Sequence, residues 1–434
     1  MKWDWNELFG EGFLVDFAEG QRKYFALDEI STDDVSVFFS KTNLWYKRTT
    51  VFWNNMEIIK VIVEENRVLS DGTVNLRTYL EYDTKITTEN REMILPLTAK
   101  GKSKKVNATN ILAVTPFGCS FSMRMDKGAT RISVVNPRSC QRLAIGEDKR
   151  IRNIKTKEDF TNFLSCYIDS CPCDYMERVD KVRNSKKVTI KYKVGDIFRL
   201  ELDRFSYCYG MITGEIGKMR KALPLPERHS LHAYMMVPLA IRFFDLITDR
   251  ADMTVDELLK YPLGGVEICG DNDLIWGVYP VIGRKKPEIY DIDFNLICTK
   301  FISKDPHINI FSQNLLMGQG SFKKPEKYDL HIEWGTAYTE LKSERLTDKL
   351  KAFFDDYCSP FSGVAMSVYP NYLTFDENAR KALPMMKYDL RNEANAEIRR
   401  ELFALIGLEP DAGFDDFARK FGGLTKAEIF EKLK

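Results

Sequence analysis

Histidine is scarce in this chain, with four in 434 residues. The one close pair, His229 and His232, follows Pro226 in a polar stretch, with no Glu placed as in His-Glu-x-x-His. That removes the helical zinc-peptidase pattern and leaves surface or locally bonded histidines. Cysteines number nine, an odd count without the even spacing of a disulfide scaffold. Cys166, Cys171 and Cys173 lie close in sequence, but no Cys-x2-Cys pair or nearby His completes a tetrahedral set. The expectation is therefore free thiols, no metal and no cofactor. Charge of one sign is also missing: 64 Lys and Arg stand against 63 Asp and Glu, which argues against a dedicated nucleic-acid sleeve. No run approaches the ~18 apolar residues of a membrane span. Met1–Glu7 is mixed and polar rather than basic then apolar. Together with the unpaired cysteines, this leads us to expect a reducing cytoplasm. Two catalytic signatures are absent, the Gly-x-Ser-x-Gly elbow and Gly-x-Gly-x-x-Gly after a strand. Gly101-Lys102-Ser103 lacks the upstream glycine of a phosphate loop, so Lys100–Lys105 reads as a solvated hairpin tip whose lysines guard an edge.

What is present is ample core material. Aromatics make up 12% of the chain, and its length suits two or three domains of ~100–200 residues. We read an α+β protein with four segments. Residues 1–150 form a β-rich domain, sandwich or barrel-like, with strands at Gly12–Phe17, Lys23–Leu27, Thr49–Trp53, Ile58–Val63, Leu76–Tyr82, Met93–Leu97, Ile111–Val114 and Ile132–Val135, and a turn at Asp71-Gly72. Residues 151–193 hold a helix, Lys157–Asp169, with Thr156 and Asp159 as a capping box, followed by a basic linker, Asp180–Lys193. Residues 194–325 form a mixed unit with antiparallel strands, loop-rich over Phe301–Pro325. Residues 326–434 are mostly helical, with helices at Thr347–Cys358, Ala394–Ile406, Phe414–Phe421 and from Lys426, after a short strand His331–Trp334.

The central unit is the informative one. Gly195-Asp196 is turn chemistry, and Ile197–Leu202 then alternates apolar and charged residues as a half-buried strand does. Asp203-Arg204-Phe205-Ser206 breaks the run, and Tyr207–Thr213 is β-rich again, which makes a hairpin. Met235–Thr248 suggests a strand and then a short helix. Thr254–Lys260 is a helix with a capping box, and Gly270–Asp273 is a turn before a strand Leu274–Ile282. The order of Gly195-Asp196-Ile197-Phe198, Tyr209-Gly210, Phe244-Asp245 and Tyr279-Pro280-Val281-Ile282-Gly283 resembles the immunity protein 26 family, over roughly Lys191 to Cys298. Those proteins accompany polymorphic toxins in bacteria. The resemblance implies a non-catalytic binding protein that neutralises a cognate toxin; the hydropathy and the charge balance lead us to expect no membrane and no nucleic acid among its partners.

Phe205 stands where turns usually carry Gly, Asn or Asp. Two readings follow. Either its ring folds back over the unit's own core, or Arg204 and Phe205 anchor a partner, with Asp271 and Asp273 as acidic neighbours, since Arg and aromatics dominate hot spots. The enzyme alternative is a metal-dependent nuclease or nucleic-acid-processing protein. Asp329 and Glu340 would hold Mg²⁺, and Lys342 would steady the attacking water. A salt-bridged helix face explains the same triplet.

Overall fold

Apolar runs rich in β-branched and aromatic residues, buried on both faces, drive the N-terminal half into one antiparallel sheet. The computed structural model describes residues 9, 14–69, 73–126, 129–145, 149–227, 229–233, 237–301, 329–356, 364–365, 390 and 393–434. The expected turn Asp71-Gly72 and nearly all of Phe301–Pro325 lie outside them, as does Cys358. The chain divides into two compact units. The first is Met1–Ile190 with Glu201–Phe205 and Ile275–Val278; the second is Lys191–Leu200, Ser206–Leu274 and Tyr279–Lys434.

In the first unit the strands are β1 (Val35–Thr42), β2 (Trp45–Asn54), β3 (Glu57–Val68), β4 (Val74–Glu89), β5 (Met93–Ile94), β6 (Lys104–Lys105), β7 (Ser120–Asp126), β8 (Ala129–Val135) and β9 (Arg142–Leu143). They run as an open meander, β1-β2-β3-β4-β7-β8-β9, with β5 and β6 paired beyond β4. Because side chains alternate, the sheet has two apolar faces. One carries Phe52, Ile62, Tyr79, Phe121, Met123 and Val134 against Phe160, Phe163, Leu164 and Tyr167 of the helix Lys157–Asp169 and Tyr175 and Val179 of the helix Tyr175–Arg183. The other carries Val51, Trp53, Val61, Val63, Tyr82 and Ile86 against Ile111. The capping box forms as expected: Asp159 N–H donates to Thr156 Oγ1 and Thr156 N–H to Asp159 Oδ2. The Lys155 N–H, the Thr156 hydroxyl and the Thr156 N–H, which donate to the Asp159 carboxylate, hold it below its usual range.

Two expected strands are helical instead. Ile111 lies in the helix Ala108–Leu112, because Asn107 accepts from Asn110 N–H and caps it. Lys23–Leu27 overlaps the 3₁₀ turn Arg22–Phe25, closed by Ala26 in the left-handed region. That turn brings Arg22 over the sheet. Its Nε donates to Glu81 Oε1 at 2.9 Å, while Lys60 Nζ reaches Glu81 at 3.0 Å and Asp83 at 2.6 Å, and the Tyr79 hydroxyl donates to Glu81 at 2.6 Å. All five side chains are buried. Burial raises the Glu81 carboxyl, but Lys60, Arg22 and Tyr79 outweigh it and hold its pKa below the ordinary value.

The second unit has two sheets. The first runs β13-β12-β11-β10-β14, where β10 is Asp196–Glu201, β11 Tyr207–Glu215, β12 Pro238–Thr248, β13 Leu263–Gly270 and β14 Val281–Arg284. The pairs β10–β14, β11–β12 and β12–β13 are antiparallel. Residues 238–248 are strand throughout rather than strand and helix, since β12 sits between β11 and β13 and is held on both edges. Leu274 lies in a short helix, Asn272–Ile275, and the strand begins only at Val281. The second sheet runs β17-β16-β15-β18, with β15 Ile297–Phe301, β16 Asp329–Trp334, β17 Ala337–Leu341 and β18 Val364–Ala365. Helices Asp348–Asp356, Ala396–Leu405, Phe414–Phe421 and Lys426–Leu433 pack on it through one core that includes Ile332, Trp334, Leu350, Phe354, Leu402 and Phe417. Thr425 and Glu428 form the expected capping box.

Candidate interaction site

The family-like motif residues have structural reasons. Gly195 adopts φ +92°, and a Cβ there would sit 2.2 Å from the Lys285 carbonyl. Only glycine fits this turn into β10. Gly210 lies under the Phe198 ring, 2.6 Å from where a Cβ would be. Phe198 in turn packs edge-on to Phe243 and stacks on Tyr279. The motif is thus the packing code of the hairpin β10–β11 and its neighbours, not a catalytic set.

The break between β10 and β11 separates two side chains that sequence reasoning had joined. Arg204 is buried, and its guanidinium lies 3.7 Å from the Tyr167 ring centroid. Its Nη1 donates to the Tyr167 carbonyl at 2.6 Å and to Cys171 Sγ at 3.3 Å, and its Nη2 to Ser170 Oγ at 3.2 Å. A cation at the last turn of the helix Lys157–Asp169 satisfies a carbonyl that has no intrahelical partner and suits the helix dipole. Arg178 Nη1 donates to the Arg204 carbonyl at 3.0 Å. Phe205 remains 49% exposed, so its ring does not cover a core. Its N–H donates to Asp203 Oδ1 at 2.7 Å, and the Arg204 guanidinium lies 5.1 Å from its ring.

The acidic pair also divides. Asp271 is buried and accepts from the Tyr192 hydroxyl at 2.9 Å; burial comes first among the causes that raise that phenol, followed by the Asp271 bond. Asp273 is half-buried, and its carbonyl accepts from Tyr279 N–H.

Tyr290 escaped sequence reasoning. It is 82% exposed, the most exposed large apolar or aromatic side chain among the described residues. Its loop is nevertheless fixed. Arg242 Nη1 donates to the Tyr290 and Asp291 carbonyls at 2.8 and 3.1 Å, and the buried Asp291 carboxylate accepts from Lys285 Nζ and Glu288 N–H. An aromatic inside the charged, proline-containing stretch Lys285–Asp291 was the available signal.

His229 is not at the surface. Its Nδ1 accepts from Leu231 N–H at 3.1 Å, which leaves Nε2 to donate to the Gly335 carbonyl. Burial pushes its pKa down, so it stays neutral. Glu333 accepts from Ser230 N–H at 3.1 Å and from His331 Nε2 at 3.0 Å. Burial raises this carboxyl, but the His331 bond and the two imidazoles outweigh it, and the net shift is downward. The adjoining cavity, lined by Ile216, Met219, Asn295 and Glu333 among others, measures about 50 Å³. That is room for a water or two rather than a substrate, and the buried Asn295 Oδ1 beside it has no hydrogen-bond partner.

Asp329, Glu340 and Lys342 do come together. Asp329 begins β16, and Glu340 lies on β17, opposite His331. Lys342 Nζ donates to Asp329 Oδ2 at 2.6 Å and lies 3.7 Å from Glu340. The Asp329 bond comes first among the causes that raise the Lys342 ammonium. Among the described residues, no group of three or more His, Cys, Asp or Glu side chains is arranged to hold a metal. No helix among them is long and apolar enough to cross a membrane.

No curated protein and no solved structure matches the chain. Residues 193–303, about a quarter of its length, match the family model of Immunity protein 26, and that stretch holds the hairpin β10–β11, Phe205 and the Tyr290 loop.

Proposed function

We propose that this chain is an immunity-type protein that neutralises a bacterial polymorphic toxin by binding it directly, without catalysis, in the cytoplasm. The match of residues 193–303 to Immunity protein 26 carries the reading. The structure of that stretch supports it. The motif glycines and aromatics serve packing, and the exposed side chains of the stretch include two aromatics on hydrogen-bonded backbone, Phe205 in one unit and Tyr290 in the other. Rigid exposed aromatics suit a tight interface, since little ordering entropy remains to be lost on binding. Within the set Arg204, Phe205, Asp271 and Asp273, we assign Phe205 and Asp273 to the partner. Arg204 and Asp271 hold the backbone from inside, because their polar groups are spent on Tyr167 and Ser170, and on Tyr192.

The test is co-expression with candidate toxins found by reading the genes beside this one, together with co-purification of the two proteins. Growth rescue and a stable complex are expected. Toxicity unrelieved by the intact chain would overturn the reading. The nuclease alternative has one observation in its favour, the convergence of Lys342 on Asp329 and Glu340. An ion-paired sheet face accounts for it equally, and that group lies outside the matched segment.

A further inference from the structure

An edge strand is a template for pairing unless something blunts it. β1 is the edge of the large sheet in the first unit, and among the described residues its partner is β2 alone. It pairs over eight residues, Val35 to Thr42, without a bulge, and it contains no proline. The strand is held straight from its inner side: Trp53 N–H donates to the Asp34 carbonyl at 2.9 Å, and Trp53 Nε1 to Ser36 Oγ at 3.0 Å. One face of it reads Asp33, Val35, Val37, Phe39, Lys41. All five are exposed, the apolar three at 46, 45 and 47%.

That stripe is complementary to its own reverse. We propose that β1 pairs antiparallel with β1 of a second copy of this chain about a two-fold axis at Val37, joining the two large sheets into one. In this register Val35 faces Phe39 of the second copy, Val37 faces Val37, and Asp33 faces Lys41 at both ends. The symmetry repeats the Val35–Phe39 and Asp33–Lys41 pairs on either side of the single Val37 pair on the axis, as an isologous interface requires. The neighbouring registers lose this. A shift of the axis to Ser36 sets Asp33 against Phe39, and a shift to Phe38 sets Val35 against Lys41. Charge therefore selects one alignment out of those the apolar stripe permits.

Sedimentation equilibrium of the full-length protein up to about 100 μM tests this. A dimer is expected. Val37→Lys puts like charges face to face on the axis and should give a monomer, with far-UV circular dichroism unchanged and a melting temperature near that of wild type diluted below its dimer dissociation constant. Lys41→Asp and Asp33→Lys should each raise the dimer dissociation constant about tenfold. Mixing these two variants, or combining both changes in one chain, should restore dimerisation. A monomeric wild type, a dimer that survives Val37→Lys, or charge variants that fail to rescue one another would each overturn the proposal.

Discussion

Replacing Arg204 with alanine separates the two roles at the break between β10 and β11. The variant loses a charge-assisted bond to the Tyr167 carbonyl, contacts to Ser170 and Cys171, and a cation–π contact at 3.7 Å. A hydrogen bond to a charged group contributes about 1.5–3 kcal/mol, and a desolvated cation–π pair about 2. Hydration of the arginine in the unfolded chain offsets part of that sum. A net loss of about 2–4 kcal/mol follows, or on the order of 5–10 °C in melting temperature for a unit of this size. Phe205→Ala should behave differently. Half of that ring is already in water, so its removal should cost about 1 kcal/mol or less in stability. It should weaken toxin binding by about 2 kcal/mol, roughly thirtyfold in Kd. Thermal melts and binding titrations on both variants provide the comparison. An Arg204→Ala protein as stable as wild type would refute the reasoning, as would a Phe205→Ala protein that melts as early as Arg204→Ala.

Lys60→Met leaves Glu81 and Asp83 buried with one cation fewer and should destabilise the first unit by about 3–5 kcal/mol; an unchanged denaturant midpoint would contradict the buried network. Glu267 on β13 is pushed up to about 8 by burial. Because its folded pKa lies above the unfolded value, its contribution is fully present at low pH and is lost as pH rises from about 4.5 to about 8. Glu267→Gln should therefore flatten the fall in melting temperature over that window, and an identical pH profile would count against the burial argument. Incubation with DNA or RNA and Mg²⁺ or Mn²⁺ should give no cleavage; cleavage abolished by both Glu340→Ala and Lys342→Ala would establish the nuclease alternative.

Much of the fold was legible because local signals agreed with tertiary need. Thr156 with Asp159 and Thr425 with Glu428 mark helix starts by chemistry within four residues, and both boxes form. The Gly195-Asp196 turn and the alternation after it placed β10, since glycine at positive φ and period two need no distant partner. Errors arose where a distant or small effect decided. An apolar run at Ile111 fits strand or helix equally, and the Asn107 cap settles it. Residues 238–248 stay extended because strands on both sides hold them, which no local window records. The candidate site was half legible. Phe205 was visible as an aromatic in a turn, whereas the inward course of Arg204 depends on Tyr167 and Ser170, more than thirty residues away. His229 meets Glu333 and Gly335 across about a hundred residues, and no spacing rule reaches that far.

The central claim is that this chain neutralises a toxin by occupying it. The most direct measurement is isothermal titration of the purified protein with a candidate toxin found by reading the neighbouring genes, with toxin activity read in the same mixtures. Stoichiometric, saturable binding that abolishes activity in step with occupancy, and that Phe205→Ala weakens, is the predicted result. Loss of toxin activity without a stoichiometric complex, or a complex that leaves the toxin active, would contradict it.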